Sequence, residues 1–261
     1  MTNRYDILKS GKSYLPYLML GYPTSETCLA AAKILLDTGA HGLELGLPFR
    51  DPVADGPVIE FAGNKVLDRG FTVDNALGLV QRIRALNADA PLTVMSYYNM
   101  LLARGVDKFA ADFAAAGADG ILIPDLPLER TGEILPTLRK HGLKLIFMAS
   151  PLTTAERLQK ISTVAEGFIY VVTRLGITGA QANYSAQLAE LFARVKANTT
   201  LPAIAGFGIS KPQDVTTMLN AGADGAIIGS RLVEILEDFD AGELAYYTRS
   251  ILAALQNQKA A

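Results

Sequence analysis

Eight short apolar runs punctuate the chain, at residues 14–20, 42–45, 92–96, 120–123, 144–148, 168–172, 202–205 and 225–228. Most of them do not alternate with polar residues. That is the pattern of parallel strands covered on both faces. Between the runs, apolar positions recur at helical spacing: Ala76, Leu79, Val80, Ile83 and Leu86, then Leu188, Leu191, Phe192 and Val195, then Val215, Met218 and Leu219. Thr153 and Glu156 have the spacing of a capping box and predict that a helix opens there, after the fifth strand.

A weak repeat organises these units. Thr38-Gly39-Ala40-His41-Gly42, Ala116-Gly117-Ala118-Asp119-Gly120 and Ala221-Gly222-Ala223-Asp224-Gly225 share one form. Each ends a helical pattern on a glycine suited to a left-handed cap and leads into an apolar run. Eight βα units joined in this way predict an α/β fold, a single-domain (β/α)8 TIM barrel over residues 1–261. A doubly wound open sheet is the alternative. In a barrel, Glu44, Asp125, Arg174, Gly206–Gly208 and Gly229–Ser230 all fall at the C-terminal ends of strands, where barrel sites are built.

Composition narrows the function. The 261 residues are 50% hydrophobic, enough for a large core, and the net charge of -2 offers no electrostatic footprint for nucleic acid or an anionic membrane. No apolar run is long enough to span a bilayer, and the polar N-terminus lacks a signal-peptide core. The two histidines rule out a histidine-rich metal site. The one cysteine, Cys28, cannot form an internal disulfide and reads as a buried apolar residue on the first helix. These features point to a soluble cytoplasmic protein.

The distinctive chemistry lies in residues 43–57. Glu44 sits between Leu43 and Leu45, so if the leucines face the helices the carboxyl faces the barrel interior. Desolvation there raises a carboxyl pKa and suits it to move protons in both directions. The bland alternative is a structural acid paired with a buried Lys or Arg, or one bound to backbone amides. Asp55 lies in Ala54-Asp55-Gly56-Pro57; on the residues alone it reads as a turn aspartate capping the next helix, and Asp51 before Pro52 reads as a turn residue too. A second group of residues follows the last three strands: Gly176-Ile177-Thr178-Gly179, Gly206-Phe207-Gly208-Ile209-Ser210 and Gly229-Ser230. Bare glycine amides and a helix opening at Ser230 suit a phosphate, and barrels commonly bind phosphate at this place. Residues 180–185 read as a long small-residue loop that could close over the site.

These segments resemble the tryptophan synthase α subunit family. The resemblance rests on Leu43-Glu44-Leu45-Gly46, Pro48-Phe49 and Asp51-Pro52-Val53-Ala54-Asp55-Gly56-Pro57. It is supported in order and spacing by Tyr97-Tyr98-Asn99, Pro124-Asp125-Leu126-Pro127, Arg174–Ala180, Gly206-Phe207-Gly208-Ile209 and Ile228-Gly229-Ser230. The resemblance implies cofactor-free retro-aldol cleavage of indole-3-glycerol phosphate to indole and glyceraldehyde 3-phosphate, a step of tryptophan biosynthesis. It implies that Glu44 is the general acid/base and that Asp55 accepts the indole N–H, which replaces the turn reading of Asp55. It places Tyr17 in the indole pocket and Tyr170 beside the indole or Glu44, counts Phe207 among the substrate-binding residues, and puts Thr178 on a closing loop that helps order the Asp55 loop. Gly179, Gly208, Gly229 and Ser230 fall at the phosphate. It also implies an αββα complex in which indole passes to a pyridoxal-phosphate β subunit that contacts residues 48–53 and 99–104. A stand-alone indole-3-glycerol phosphate lyase and a non-catalytic regulatory subunit are the alternatives. Three features depart from the family pattern: Arg50 where a small residue is common, Glu60 where Gln is usual, and residues 181–184. Tyr17 stands where Phe is frequent.

Overall fold

The computed structural model describes residues 3–173 and 181–256. Its strands are β1 (Ser13–Met19), β2 (Leu43–Gly46), β3 (Leu92–Met95), β4 (Gly120–Leu122), β5 (Lys144–Ala149), β6 (Ile169–Val172), β7 (Ala203–Gly206) and β8 (Gly225–Ile228). They pair in sequence order, all parallel, and β8 closes onto β1. This is the expected TIM barrel, and each strand matches its apolar run to within about two residues. The helices outside it are α1 (Ser25–Thr38), α2 (Pro57–Asp68), α3 (Val73–Leu86), α4 (Tyr98–Arg104), α5 (Val106–Ala116), α6 (Leu135–Lys140), α7 (Ala155–Ser162), α8 (Gln181–Lys196), α9 (Pro212–Asn220), α10 (Ser230–Glu237) and α11 (Ala241–Gln256).

Two local expectations shift. Thr154 caps α7, accepting the Arg157 amide at 3.2 Å, while Thr153 folds back to accept the Ser150 amide at 2.9 Å. With two adjacent threonines the hydroxyl nearer the helix takes the cap, so the box spacing misplaces it by one residue. Helix α8 begins at Gln181, so residues 181–185 are helical rather than loop. Their small residues carry no apolar stripe that would have announced the first turn.

The repeated joint is a structural device. Gly39, Gly117 and Gly222 all have positive φ, at 113°, 99° and 109°. The fourth residue of each joint then reaches back to the opening amide of the preceding strand. Asp119 accepts the Leu92 amide at 2.8 Å, Asp224 accepts that of Ala203 at 3.0 Å, and His41 Nδ1 accepts that of Tyr14 at 3.2 Å. Asp119 also pairs with Arg4 and Arg84, both at 2.6 Å. These bonds sit at the N-terminal ends of the strands, the face opposite the expected chemistry. There, too, Tyr5 of the 3-10 helix Arg4–Lys9 plugs the barrel floor. It is buried, bonds Thr93 Oγ1 at 2.7 Å, and lies 6.0 Å from the Phe168 ring. A Cβ at Gly120 would come within 2.4 Å of its hydroxyl, so the plug needs glycine there.

Asp119→Ala strands one strand amide and two arginines of which Arg84 is mostly enclosed. It is expected to lower unfolding stability by about 2–4 kcal/mol in urea denaturation, with little change in turnover of the folded fraction.

Candidate active site

The site begins with the direction of the strand side chains. Tyr17, Glu44 and Thr93 are register partners on β1, β2 and β3, so all three share the inner face. Leu43 and Leu45 are fully buried among the helices' apolar contacts, and Glu44 is 1% exposed. The bland alternative for Glu44 fails: among the described residues no cation pairs with it, and its Oε1 has no hydrogen-bond partner. It lines a cavity of about 500 Å³ at the C-terminal end of the barrel.

Tyrosines and glycines shape that cavity in matched pairs. Tyr17 is in register with Glu44, and its hydroxyl lies over Gly46, two residues further along β2, where a Cβ would sit 1.9 Å away. Tyr170 is in register with Ile204, and its hydroxyl lies over Gly206, again two residues further along the next strand, where a Cβ would sit 2.2 Å away. Both rings therefore lean toward the barrel mouth only because the neighbouring strand ends in glycine. Phe207 meets Tyr170 edge-on at 6.0 Å. Ile59, Met95, Leu122, Met148 and Ile227 complete an apolar wall suited to an aromatic ligand.

Asp55 does not cap α2. The cap residue is Gly56, which makes no side-chain bond, and Asp55 lines the cavity with Glu44. Its loop is held from β3: the Tyr97 hydroxyl accepts the Ala54 amide at 3.2 Å, and the Tyr97 ring stacks on Phe49 at 5.0 Å. Arg50 bonds Asn64 Oδ1 at 3.1 Å and Asp68 Oδ1 at 2.9 Å, tying the start of the same loop to α2.

The two acids differ in proton affinity for stated reasons. Burial raises Glu44 to about 8, and the Asp55 charge adds to the rise. Burial also raises Asp55, to about 6, with the Glu60 charge adding and a hydrogen bond from Tyr97 opposing. Burial, followed by the two carboxylates, pushes the Tyr17 and Tyr170 hydroxyls far up, so both remain protonated. Near neutral pH the site holds one protonated carboxyl and one carboxylate.

The opposite end is built by β7 and β8. Gly208, Gly229 and Ser230 line the cavity, and Ser230 opens α10. Phe207 and Gly208 have consecutive positive φ values of 70° and 71°. The strained Phe207 conformation is held by Thr173, whose Oγ1 donates to the carbonyls of Gly206 at 3.0 Å and Phe207 at 2.7 Å. Thus Tyr17, Glu44, Asp55, Tyr170, Phe207, Gly208, Gly229 and Ser230 come together around one cavity. Thr178 and Gly179 lie outside the described residues, as does Arg174. Asp125 stands apart: it accepts the Tyr98 amide at 2.8 Å and opens α4. Ser210, the last residue of the Gly206–Ser210 segment, also lines the cavity, and sequence reasoning missed Lys211 and Asp214, which line it too. The usable signal was Lys211-Pro212 with Asp214 three residues after Lys211, a helix start placed directly behind Gly206–Gly208. Among the described residues no group of three or more His, Cys, Asp or Glu is arranged to hold a metal ion, and no helix is long and apolar enough to cross a membrane.

This geometry has close counterparts. The family model "Tryptophan synthase alpha chain" matches residues 6–261. A tryptophan synthase alpha chain of Methanosarcina acetivorans is 42% identical over 240 residues, covering 91% of this chain and 86% of that one. One of Chloroflexus aggregans is 41% identical over 246 residues, covering 93% and 92%. Among solved structures, the tryptophan synthase subunit alpha of Legionella pneumophila superposes with a TM-score of 0.90 at 32% identity, covering 99% of this chain and 100% of that chain. A chain of tryptophan synthase from Mycobacterium tuberculosis, in an aminoacrylate-bound form, gives 0.86 at 32% identity, covering 97% and 100%. The chain belongs to the tryptophan synthase alpha chain family.

Proposed function

We propose that Glu44 and Asp55 divide the work of the family's lyase reaction, the cleavage of indole-3-glycerol phosphate to indole and glyceraldehyde 3-phosphate. The observation that carries this reading is the pair itself. A fully enclosed, unpartnered carboxyl and a less buried carboxylate line one apolar cavity, and they hold protons with opposite readiness at neutral pH. Glu44 starts protonated and gives its proton to indole C3. Positive charge then develops on the ring, and Asp55 accepts the indole N–H and stabilises that charge. The Glu44 carboxylate next takes the proton from the glycerol hydroxyl beside the ring. The C–O bond becomes a carbonyl, the C3 bond breaks with its electrons returning to the ring, and Glu44 is protonated again. Tyr17, Tyr170 and Phe207 would hold the indole, and Gly208, Gly229 and Ser230 the phosphate, with Thr178 and Gly179 as the family pattern suggests.

The same reading takes residues 1–261 as one domain in a cytoplasmic setting. The continuous core and the buried thiol of Cys28 support it. It includes a β-subunit partner. Val53, 80% exposed on its loop, and Leu102, 50% exposed on α4 rather than on a loop, are apolar side chains standing out from the two segments that the resemblance places against that partner. A steady-state assay of indole release with and without a β subunit separates the options. A low rate that rises with the partner supports the synthase subunit; a high rate alone supports a free-standing lyase. No release under either condition would leave only a regulatory role.

Glu44→Gln is expected to abolish turnover, by roughly 100-fold or more. Burial raises the folded-state pKa of Glu44 from the ordinary 4.5 to about 8. The native protein therefore binds this proton more tightly than the unfolded chain, and its stability falls as pH rises between those values. Glutamine carries no such penalty, so the variant should outlast the parent in urea, by a margin that grows from acid to mildly alkaline pH. Loss of both activity and stability would count against a functional burial.

The pH profile of kcat/KM should be a bell. It rises as Asp55 ionises near 6 and falls as Glu44 ionises near 8. Asp55→Asn should abolish the acid limb and move the alkaline limb down, because the Asp55 charge is part of what raises Glu44. Tyr97→Phe should shift only the acid limb, upward, since its hydrogen bond holds Asp55 down. An unshifted acid limb in Tyr97→Phe would remove Tyr97 from this role.

A further inference from the structure

Three acidic side chains but only one basic one line the cavity among the described residues: Glu44, Asp55 and Asp214 against Lys211. The two acids of the chemistry belong to β2 and its loop. Asp214 and Lys211 belong to the far end, beside Gly208. A carboxylate next to a phosphate site repels its ligand unless its charge is spent elsewhere. Asp214 is spent on the loop: its Oδ2 accepts the Ser210 amide at 2.9 Å, the Ser210 hydroxyl at 3.2 Å and the Lys211 amide at 2.9 Å. From behind, the Tyr247 hydroxyl of α11 donates to the Ser210 carbonyl at 2.9 Å. The loop that carries Gly208 is thus clamped on both sides. The Lys211 side chain is left exposed at the cavity's edge, and among the described residues it forms no salt bridge, not even with Asp214 three residues away.

We propose that Lys211 is a phosphate-binding side chain of this site, its ammonium group meeting the ligand's phosphate at the cavity mouth while Asp214 and Tyr247 hold the loop beneath it. The inference rests on the lyase reading for the identity of the ligand. Backbone amides of glycine segments present partial charges of fixed direction. An ammonium on a flexible four-carbon stem adds a full charge that follows the phosphate. It also offsets the negative field of Asp214, which the amides alone would leave in place.

The test uses Lys211→Met, which keeps the side-chain length and the backbone at the start of α9, and Lys211→Arg, which keeps the charge. In the reverse direction, condensation of indole with glyceraldehyde 3-phosphate, the methionine variant should raise the KM for glyceraldehyde 3-phosphate by ~5- to 10-fold, the worth of one partly exposed charge-assisted hydrogen bond. The KM for indole should move far less, and arginine should restore most of the loss. Titration of the parent with glycerol 3-phosphate should weaken with added salt, and Lys211→Met should both bind more weakly and lose part of that salt dependence. Equal affinity in parent and methionine variant overturns the proposal. So does an equal rise in both KM values, which would mean that the loop has merely moved. Because titration needs no turnover, a parent that binds glycerol 3-phosphate but condenses nothing with or without a β subunit would refute the lyase reading while still deciding the role of Lys211.

Discussion

A carboxyl group enclosed in a barrel with no partner for one of its oxygens is the constraint on which the rest of this structure turns. Such a group tolerates burial only by keeping its proton, and it keeps its proton only if water and cations stay away. The barrel enforces both conditions. Tyr5 seals the floor beneath Thr93, the register partner of Glu44, so solvent cannot reach the acid from the N-terminal face. Two arginines are engaged at that same face: Arg4 and Arg84 are both held by Asp119, outside the strand starts. The repeated joint therefore does more than end helices. It fixes where strands begin and holds two nearby cations at the rim.

Position on a strand or on a loop separates the two acids. Glu44 has neighbours in register on either side, and its place follows from the ladder. Asp55 has no ladder and is held by contacts made after the barrel exists: Tyr97 from the end of β3, Phe49 stacked on it, and Arg50 running back to α2. Arg50, the long charged group that departs from the family pattern, thus has a local task. It spans from the loop to Asn64 and Asp68 along one face of α2. Its ion pair is largely exposed and contributes little stability. What it does is limit where the first residues of the loop can go.

This difference also explains what could be read from residues alone. The eight strands were legible because parallel strands buried on both faces are uniformly apolar, and a carboxylate in such a run stands out against Leu43 and Leu45. The left-handed glycines of the joints were legible for a similar reason, since little else suits that backbone. Asp55 was not: Asp-Gly-Pro is good turn chemistry wherever it occurs, and its turn towards the cavity depends on Tyr97, more than forty positions later. The cap of α7 was missed by one residue because two adjacent threonines satisfy the same rule. The early start of α8 was missed because its first turn has no apolar stripe. Asp214 was hidden by doing two things at once, opening a helix and lining a cavity, and only the first has a spacing rule.

The distribution of charge along the cavity gives the site a direction. Glu44 and Asp55 lie toward β2, while bare glycine amides, the N-terminus of α10 and Lys211, beside a hydrogen-bonded Asp214, lie toward β7 and β8. A ligand with an aromatic ring at one end and a phosphate at the other fits one way round. Reversed, its phosphate would face Glu44 and Asp55 in a medium that screens charge poorly. The correct orientation also acts on the chemistry. A phosphate at the glycine end adds negative charge to the same enclosed space, and negative charge raises the proton affinity of Glu44 further. On the proposed mechanism, a bound phosphate would therefore help keep the acid protonated until proton transfer. Tyr17 over Gly46 and Tyr170 over Gly206 place two aromatic rings between these poles, each leaning over a strand that ends in glycine.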